Sequence, residues 1–381
     1  MYVDHAATTP LRPAVLDAML PYLREEFGNP SSLHRPGRRA AHAMQEARGQ
    51  TAEALNCAAE EIVFTASGSE GANLAIKGAA QAASGRDHLV TSRIEHHAVL
   101  DTCRWAARHL GLRLIEVGVD CHGTVDLDEL EHAVSDRTAV VSIGYANNEV
   151  GTIQPLREVV SIAHRHGALV HTDAVQAAGT LSLDVDESGV DLLSIAAHKF
   201  YGPKGVGALY IRRGTRLLAQ TQGGGQERGR RSGTENVAGA VGLAAALALA
   251  QATREQTTPL LRALARPLLS ELPKRISGCY VTGHSEQRLP GHASFAFEDV
   301  EIASVLLGLD KQDIWASSGS ACTSRSSEPS HVLQAMGIAR SALFGALRLT
   351  FGLANTAADT DVLLSAIPPL VAAARTAPVA A

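Results

Sequence analysis

The stretch from residue 192 to 211, LLSIAAHKFYGPKGVGALYI, sets two apolar runs, Leu192–Ala196 and Val206–Ile211, on either side of the polar turn HKFYGPKG. Short apolar runs bounded by Gly and Pro read as buried strands. Upstream the pattern repeats. Ile62–Ala66 (IVFTA) precedes a helix beginning near Glu70, and His88–Ser92 (HLVTS) precedes the helical stretch HHAVLDTCRWAARHLG. Ala139–Tyr145 (AVVSIGY) leads to NNEVG, and Ala168–Thr172 (ALVHT) to DAVQAAG. Strands alternating with helices predict an α/β fold whose largely parallel sheet is covered on both faces.

Downstream the pattern changes. A glycine-rich loop, GGGQERGRRSGTEN (223–236), leads into an alanine-rich helix predicted over 236–252. After QATREQTT come a helix over 259–272, the strands CYVTG and HASFAFE, the helix VEIASVLLGLD and the strand LRLTFG. A C-terminal helix follows, which Pro368–Pro369 should kink or end. This half reads as a smaller α+β domain. The expected division is residues 15–257 for the large domain, and 1–14 with 258–381 for the small one.

Charge and cysteine usage narrow the function classes. Lys plus Arg (34) against Asp plus Glu (39) gives −5, so bulk charge does not advertise a nucleic-acid partner. The five cysteines form no CxxC pair, which argues against a disulfide framework or a cysteine-rich zinc site and for a reducing cytoplasm. The start, MYVDHAATTP, lacks the apolar stretch of a signal peptide, and no membrane span is expected.

Ligands of open α/β sheets bind at the carboxyl ends of the strands. Polar residues follow strand after strand here: Gly68-Ser69-Glu70, Glu95-His96-His97, Asn147-Asn148-Glu149, Asp173 with Gln176, and His198-Lys199. SGSEGANLAIKG offers a helix start to an anion, although taken alone a plain turn with Ser69 as N-cap is the better explanation. No Walker motif is present. Lys199, directly after a strand, is either a snorkelling surface lysine or a desolvated amine nucleophilic toward a carbonyl. Asp173 on a neighbouring strand end weakens the first reading, because a buried carboxylate needs a cation such as a pyridinium nitrogen. His96 could stack on a cofactor ring; adjacent residues 95–97 do not share a helix face, and no metal is expected. Arg348, on an otherwise apolar strand, suits either a substrate carboxylate or a structural ion pair. Finally, SSGSACTSRSS (317–327) places Cys322 among small polar residues, where free cysteine is unusual.

YVDHAATTP, SEGANLAIKG, EHHAVLDTC, NNEVGTIQP, HTDAVQAAG, HKFYGPKGVGALY, GGGQERGRRSGTEN and SSGSACTSRSSEPSHVLQAMG resemble group I (NifS/IscS-like) cysteine desulfurases. These are pyridoxal 5′-phosphate enzymes of the class V aminotransferase group, fold type I. The resemblance implies a mostly parallel, seven-stranded sheet with a smaller α+β domain. Lys199 would carry the cofactor covalently, Asp173 would pair with its ring nitrogen and Gln176 with its ring hydroxyl. His96 would stack on the ring and move protons, and Asn148 would reach the ring hydroxyl or the substrate. Gly68, Ser69 and His198 would hold the phosphate, with Thr234 reaching the phosphate site of a second subunit. Arg348 would clamp the carboxylate of L-cysteine, and Cys322 would take its sulfur as a persulfide and pass it to an acceptor. That acceptor would serve iron–sulfur cluster assembly, tRNA thiolation or DNA phosphorothioation. A cytoplasmic homodimer with neither membrane nor direct nucleic-acid contact is implied. Ala196 departs from the family pattern, which carries a phosphate-binding serine there. Other readings are a selenocysteine lyase, another class V aminotransferase, or a sulfur-relay scaffold whose cofactor site has decayed; intact Lys199, Asp173 and Arg348 argue against the last.

Overall fold

The structure, a computed structural model, describes residues 1–319 and 328–376. Its larger sheet is built from β1 (Ile62–Thr65), β2 (His88–Ser92), β3 (Arg113–Val117), β4 (Thr138–Ser142), β5 (Leu169–Asp173), β6 (Leu192–Ala196) and β7 (Gly207–Ile211). The spatial order is β1-β7-β6-β5-β4-β2-β3. β7 pairs antiparallel with β1 and β6, and the remaining pairs are parallel. β3, an edge strand that the apolar runs do not reveal, buries fully only Val117.

Side chains alternate between the faces, as the strand period of two requires. Val63, Leu89, Val140 and Leu209 pack on Leu74 and Ile76 of the helix Gly68–Ala82 and Val99 and Cys103 of the helix His97–Leu110. Phe64, Val90, Val141, Val170 and Tyr210 face Met44, Val159 and Leu243 on the other side.

The smaller sheet contains β8 (Cys279–Val281), β9 (His292–Phe297) and β10 (Ala346–Thr350), antiparallel in the order β10-β9-β8. The chain's start joins it: Asp4 bridges to Thr350 and Tyr2 to Trp315, both parallel. Val3 thereby enters the second core beside Leu268, Phe295, Leu349 and Ile367.

Two helix expectations need correction. The segment QATREQTT does not separate two helices, because one helix runs from Val237 to Arg275. The Thr253 and Thr257 hydroxyls bond carbonyls one turn back, Leu249 at 2.8 Å and Thr253 at 3.0 Å. Gln251 and Thr258 donate to Ala178 and Thr180 in the loop after β5. Polarity there thus serves contacts rather than a linker. Likewise Pro368–Pro369 does not end the helix Ala357–Thr376. The Leu364 carbonyl, deprived of Pro368 as a donor, accepts from Arg275 at 3.1 Å. Both helices are long and apolar enough to cross a membrane by length and composition; in this fold Leu243, Leu268, Leu363 and Ile367 are core residues.

Candidate active site

The carboxyl ends of β1, β2, β4, β5 and β6 open on a cavity of about 270 Å³. Gly68 and Ser69, Glu95 and His96, Asn148, Asp173 and Gln176, and His198 and Lys199 line it. Ser67, not Ser69, caps the helix Gly68–Ala82 by accepting the Glu70 N–H at 3.1 Å. A Cβ on Gly68 would lie 2.6 Å from Val175 and 3.5 Å from Ala196, so glycine lets this helix start sit against the ends of β5 and β6.

Asp173 ends β5 and accepts the Val175 N–H at 2.9 Å. Burial raises its pKa, with His96, that hydrogen bond and Lys199 pulling back down. His96 caps the helix His97–Leu110: its Nδ1 accepts the Ala98 N–H at 3.0 Å, so the neutral ring carries its proton on Nε2. Burial, then the charges of Lys199 and Lys204, lower the His198 pKa to about 4, keeping the imidazole neutral near its Thr8 hydroxyl partner at 3.2 Å.

Residues 4–9, which received no role from the sequence, touch most of these groups. Lys199 Nζ donates to the Ala6 and Ala7 carbonyls at 2.5 and 2.9 Å, and Gln176 Nε2 donates to Ala6 at 2.9 Å. Thr9 binds the His198 carbonyl at 2.9 Å. Nothing in the local pattern of DHAATT signals this, because the contacts span about the whole large domain.

A side chamber of about 140 Å³ shares Ala7, His96, Asn148, Gln176 and Lys199 with the main cavity and reaches Arg348. Arg348 is 1% exposed. It donates to the carbonyls of Asn148 at 2.9 Å and Gly319 at 2.8 Å, and to the Asp4 carboxylate at 2.8 Å. Among the described residues its buried Nε has no hydrogen-bond partner. Gly319 adjoins the segment bearing Cys322, and Cys322 and Arg325 lie outside the described residues. On the other side of that segment, Ser330 donates to Glu149 at 2.6 Å and His331 binds the Glu95 carbonyl at 3.0 Å.

Thr234 does not line the cavity of its own chain and is exposed in the loop 223–236. Of the other cysteines, Cys103 is buried and Cys57 and Cys279 half-buried, whereas Cys121 is exposed and has no packing role. Glu95 is the residue the sequence named only as a metal-like neighbour. It is 5% exposed, accepts from Ser92 Oγ at 2.6 Å and Gly144 N–H at 2.9 Å, and burial pushes its pKa up to about 7.

With this geometry in place, residues 1–363 match the family model for class-V aminotransferases. The chain is 46% identical to cysteine desulfurase IscS of Dictyoglomus turgidum over 99% of this chain and 95% of the relative. A solved structure of a NifS-like protein superposes with a TM-score of 0.91 at 36% identity, covering 98% of this chain and 99% of that one. A structure of SspA in complex with cysteine gives 0.80 at 33% identity, covering 92% and 98%. The chain belongs to the class-V aminotransferase family, in the pyridoxal-phosphate-dependent fold of NifS-like proteins.

The residues present fit that cofactor. Lys199 supplies an amine, and the raised pKa of Asp173 marks a carboxylate that a cationic ring nitrogen would relieve. The Gly68 turn supplies backbone N–H groups beside the neutral His198 for a phosphate.

Proposed function

We propose that this enzyme is a cysteine desulfurase that removes sulfur from L-cysteine, leaving L-alanine and a persulfide on Cys322. The carrying observation is that Lys199, Asp173 and His96, from three separate strand ends, line one cavity whose side chamber leads to Arg348. The bound cofactor supplies an electron sink at the substrate's Cα. Arg348 orients the substrate carboxylate, and His96 holds and moves a proton at Nε2. The Cys322 thiolate attacks the substrate sulfur: the Cβ–S bond breaks, a Cys322 S–S bond forms, and protons complete alanine. Gln176 would turn toward the ring hydroxyl, Gly68, Ser69 and His198 toward the phosphate, and Asn148 toward substrate or ring.

The sulfur then passes to an acceptor protein of iron–sulfur assembly, tRNA thiolation or DNA phosphorothioation. The working form is a cytoplasmic homodimer in which Thr234 completes the site of the other subunit. Its exposure, and the exposure of Phe27 (82%) and Leu33 (89%), support a covering second copy. Two domains, 15–257 and the discontinuous 1–14 with 258–381, frame the site.

The decisive test is alanine and sulfide formation from L-cysteine by the cofactor-loaded protein beside Cys322→Ser and Lys199→Ala. Both variants should yield neither product, and only Lys199→Ala should lose the imine absorbance. A fully active Cys322→Ser variant would overturn the persulfide route.

A further inference from the structure

The Arg348 guanidinium has three distinct environments. One terminal nitrogen serves two backbone carbonyls, the other faces the Asp4 carboxylate at 2.8 Å, and buried Nε has no partner among the described residues. The side chains of Arg348 and Asp4 are 2% and 17% exposed. Asp4 lines neither the main cavity nor the side chamber, whereas Arg348 lines the side chamber. Backbone pairing holds it there. Asp4 bridges Thr350 on β10, two residues from Arg348, and the Asp4 carbonyl accepts from Tyr2 Oη at 2.9 Å.

From this we infer that Asp4 limits how tightly the site grips an α-carboxylate. The inference rests on the reading of Arg348 as the carboxylate clamp. A carboxylate arriving at Arg348 from the side chamber meets a cation whose charge Asp4 already balances. The pair then becomes two carboxylates on one guanidinium, an arrangement with a net negative charge in a poorly solvated place. Substrate and product carry the same carboxylate, so Asp4 weakens both alike. Such uniform binding gives no advantage once substrate is plentiful, and weakening it frees the site of alanine after each turnover.

The test is calorimetric titration of L-alanine, and of L-alaninamide as the carboxylate-free control, into the holoenzyme and Asp4→Asn. Asparagine retains an oxygen for Arg348 and removes the charge. The dissociation constant of L-alanine should fall about three- to tenfold in Asp4→Asn, the scale of one partly solvated charge pair. Alaninamide should be unaffected, and the KM for L-cysteine should fall by the same factor as alanine's constant. Asp4→Ser, a second charge removal, should shift alanine in the same direction. Unchanged or weaker alanine binding in Asp4→Asn would overturn the inference and make Asp4 a holder of the arginine only. Arg348→Lys separates the two readings. If it binds alanine as tightly as wild type, the clamp reading fails, and this inference fails with it.

Discussion

Glu95 accepts the backbone N–H of Gly144 at 2.9 Å, which ties the segment after β2 to the segment after β4 at the cavity wall. Its second oxygen takes the Ser92 hydroxyl at 2.6 Å. Desolvation dominates over both bonds and raises the pKa from 4.5 to about 7, the Asp173 charge adding to it. A raised folded-state value means that the folded protein holds a proton between those limits that the unfolded chain has lost. Stability from this group is full below pH 4.5 and declines as pH rises through 7. Glu95→Gln imitates the protonated form. Its unfolding free energy should match wild type at pH 4 and exceed it by about 3 kcal/mol at pH 8. Urea unfolding at the two pH values checks this, and equal differences at both would refute it.

His171 gives a slope of the opposite sign. It lies fully buried between Ser142 Oγ (2.8 Å) and Ser194 Oγ (3.2 Å) on adjacent strands, and burial lowers its pKa to about 3. The unfolded chain therefore binds a proton below pH 6.5 that the folded protein refuses. Stability falls as pH drops from 6.5 toward 3, by about 1.4 kcal/mol per pH unit from this group. His171→Gln should lose that part of the acid slope, whatever its stability at pH 7. An unaltered slope would mean the imidazole takes up its proton without unfolding.

Ala196 is 3% exposed and lines the cavity beside Gly68, at the position where the resemblance to cysteine desulfurases implies a serine in many members. Ala196→Ser should restore one hydrogen bond to the cofactor phosphate. Cofactor affinity should rise by about 1 kcal/mol, close to fivefold. Competition for the cofactor with a trapping apoenzyme measures it, and no gain would mean that another donor already fills that role.

Arg48 and Glu227 form a bidentate pair at 2.7 and 2.9 Å with side chains 6% and 2% exposed. The same carboxylate takes the Phe64 N–H at 3.0 Å, anchoring the loop 223–236 to β1. Arg48→Met strands a buried carboxylate and should cost about 3–5 kcal/mol. Adding Glu227→Leu should recover much of that loss, since an apolar pair carries no desolvation penalty. Denaturant midpoints decide, and a double variant no better than the single one would show that Glu227 acts on the loop through more than charge.

Much of this was legible because it is local. The runs at Ile62, His88, Ala139, Ala168 and Leu192 carry strand signals within a few residues. The polar residues after them fall at carboxyl ends because all five strands run the same way. Lys199, Asp173 and His96 were therefore readable from the sequence as neighbours at the strand ends, and they line one cavity. β3 escaped because Arg113 and Glu116 break up its apolar residues, which an edge strand tolerates since only Val117 is fully buried. The run QATREQTT misled because its threonines satisfy helix carbonyls and not water.

What the sequence determined by itself was the alternation of strands and helices and the kind of chemistry at the strand ends, since both follow from local side-chain period and type. Only the tertiary structure decided that residues 4–9 meet Lys199, Gln176 and His198, and that Asp4 pairs with Arg348. Those partners lie 170 to 344 residues apart in the chain. No local propensity encodes such a pairing, which exists because the first residues bridge to β10 and the second core closes over Val3.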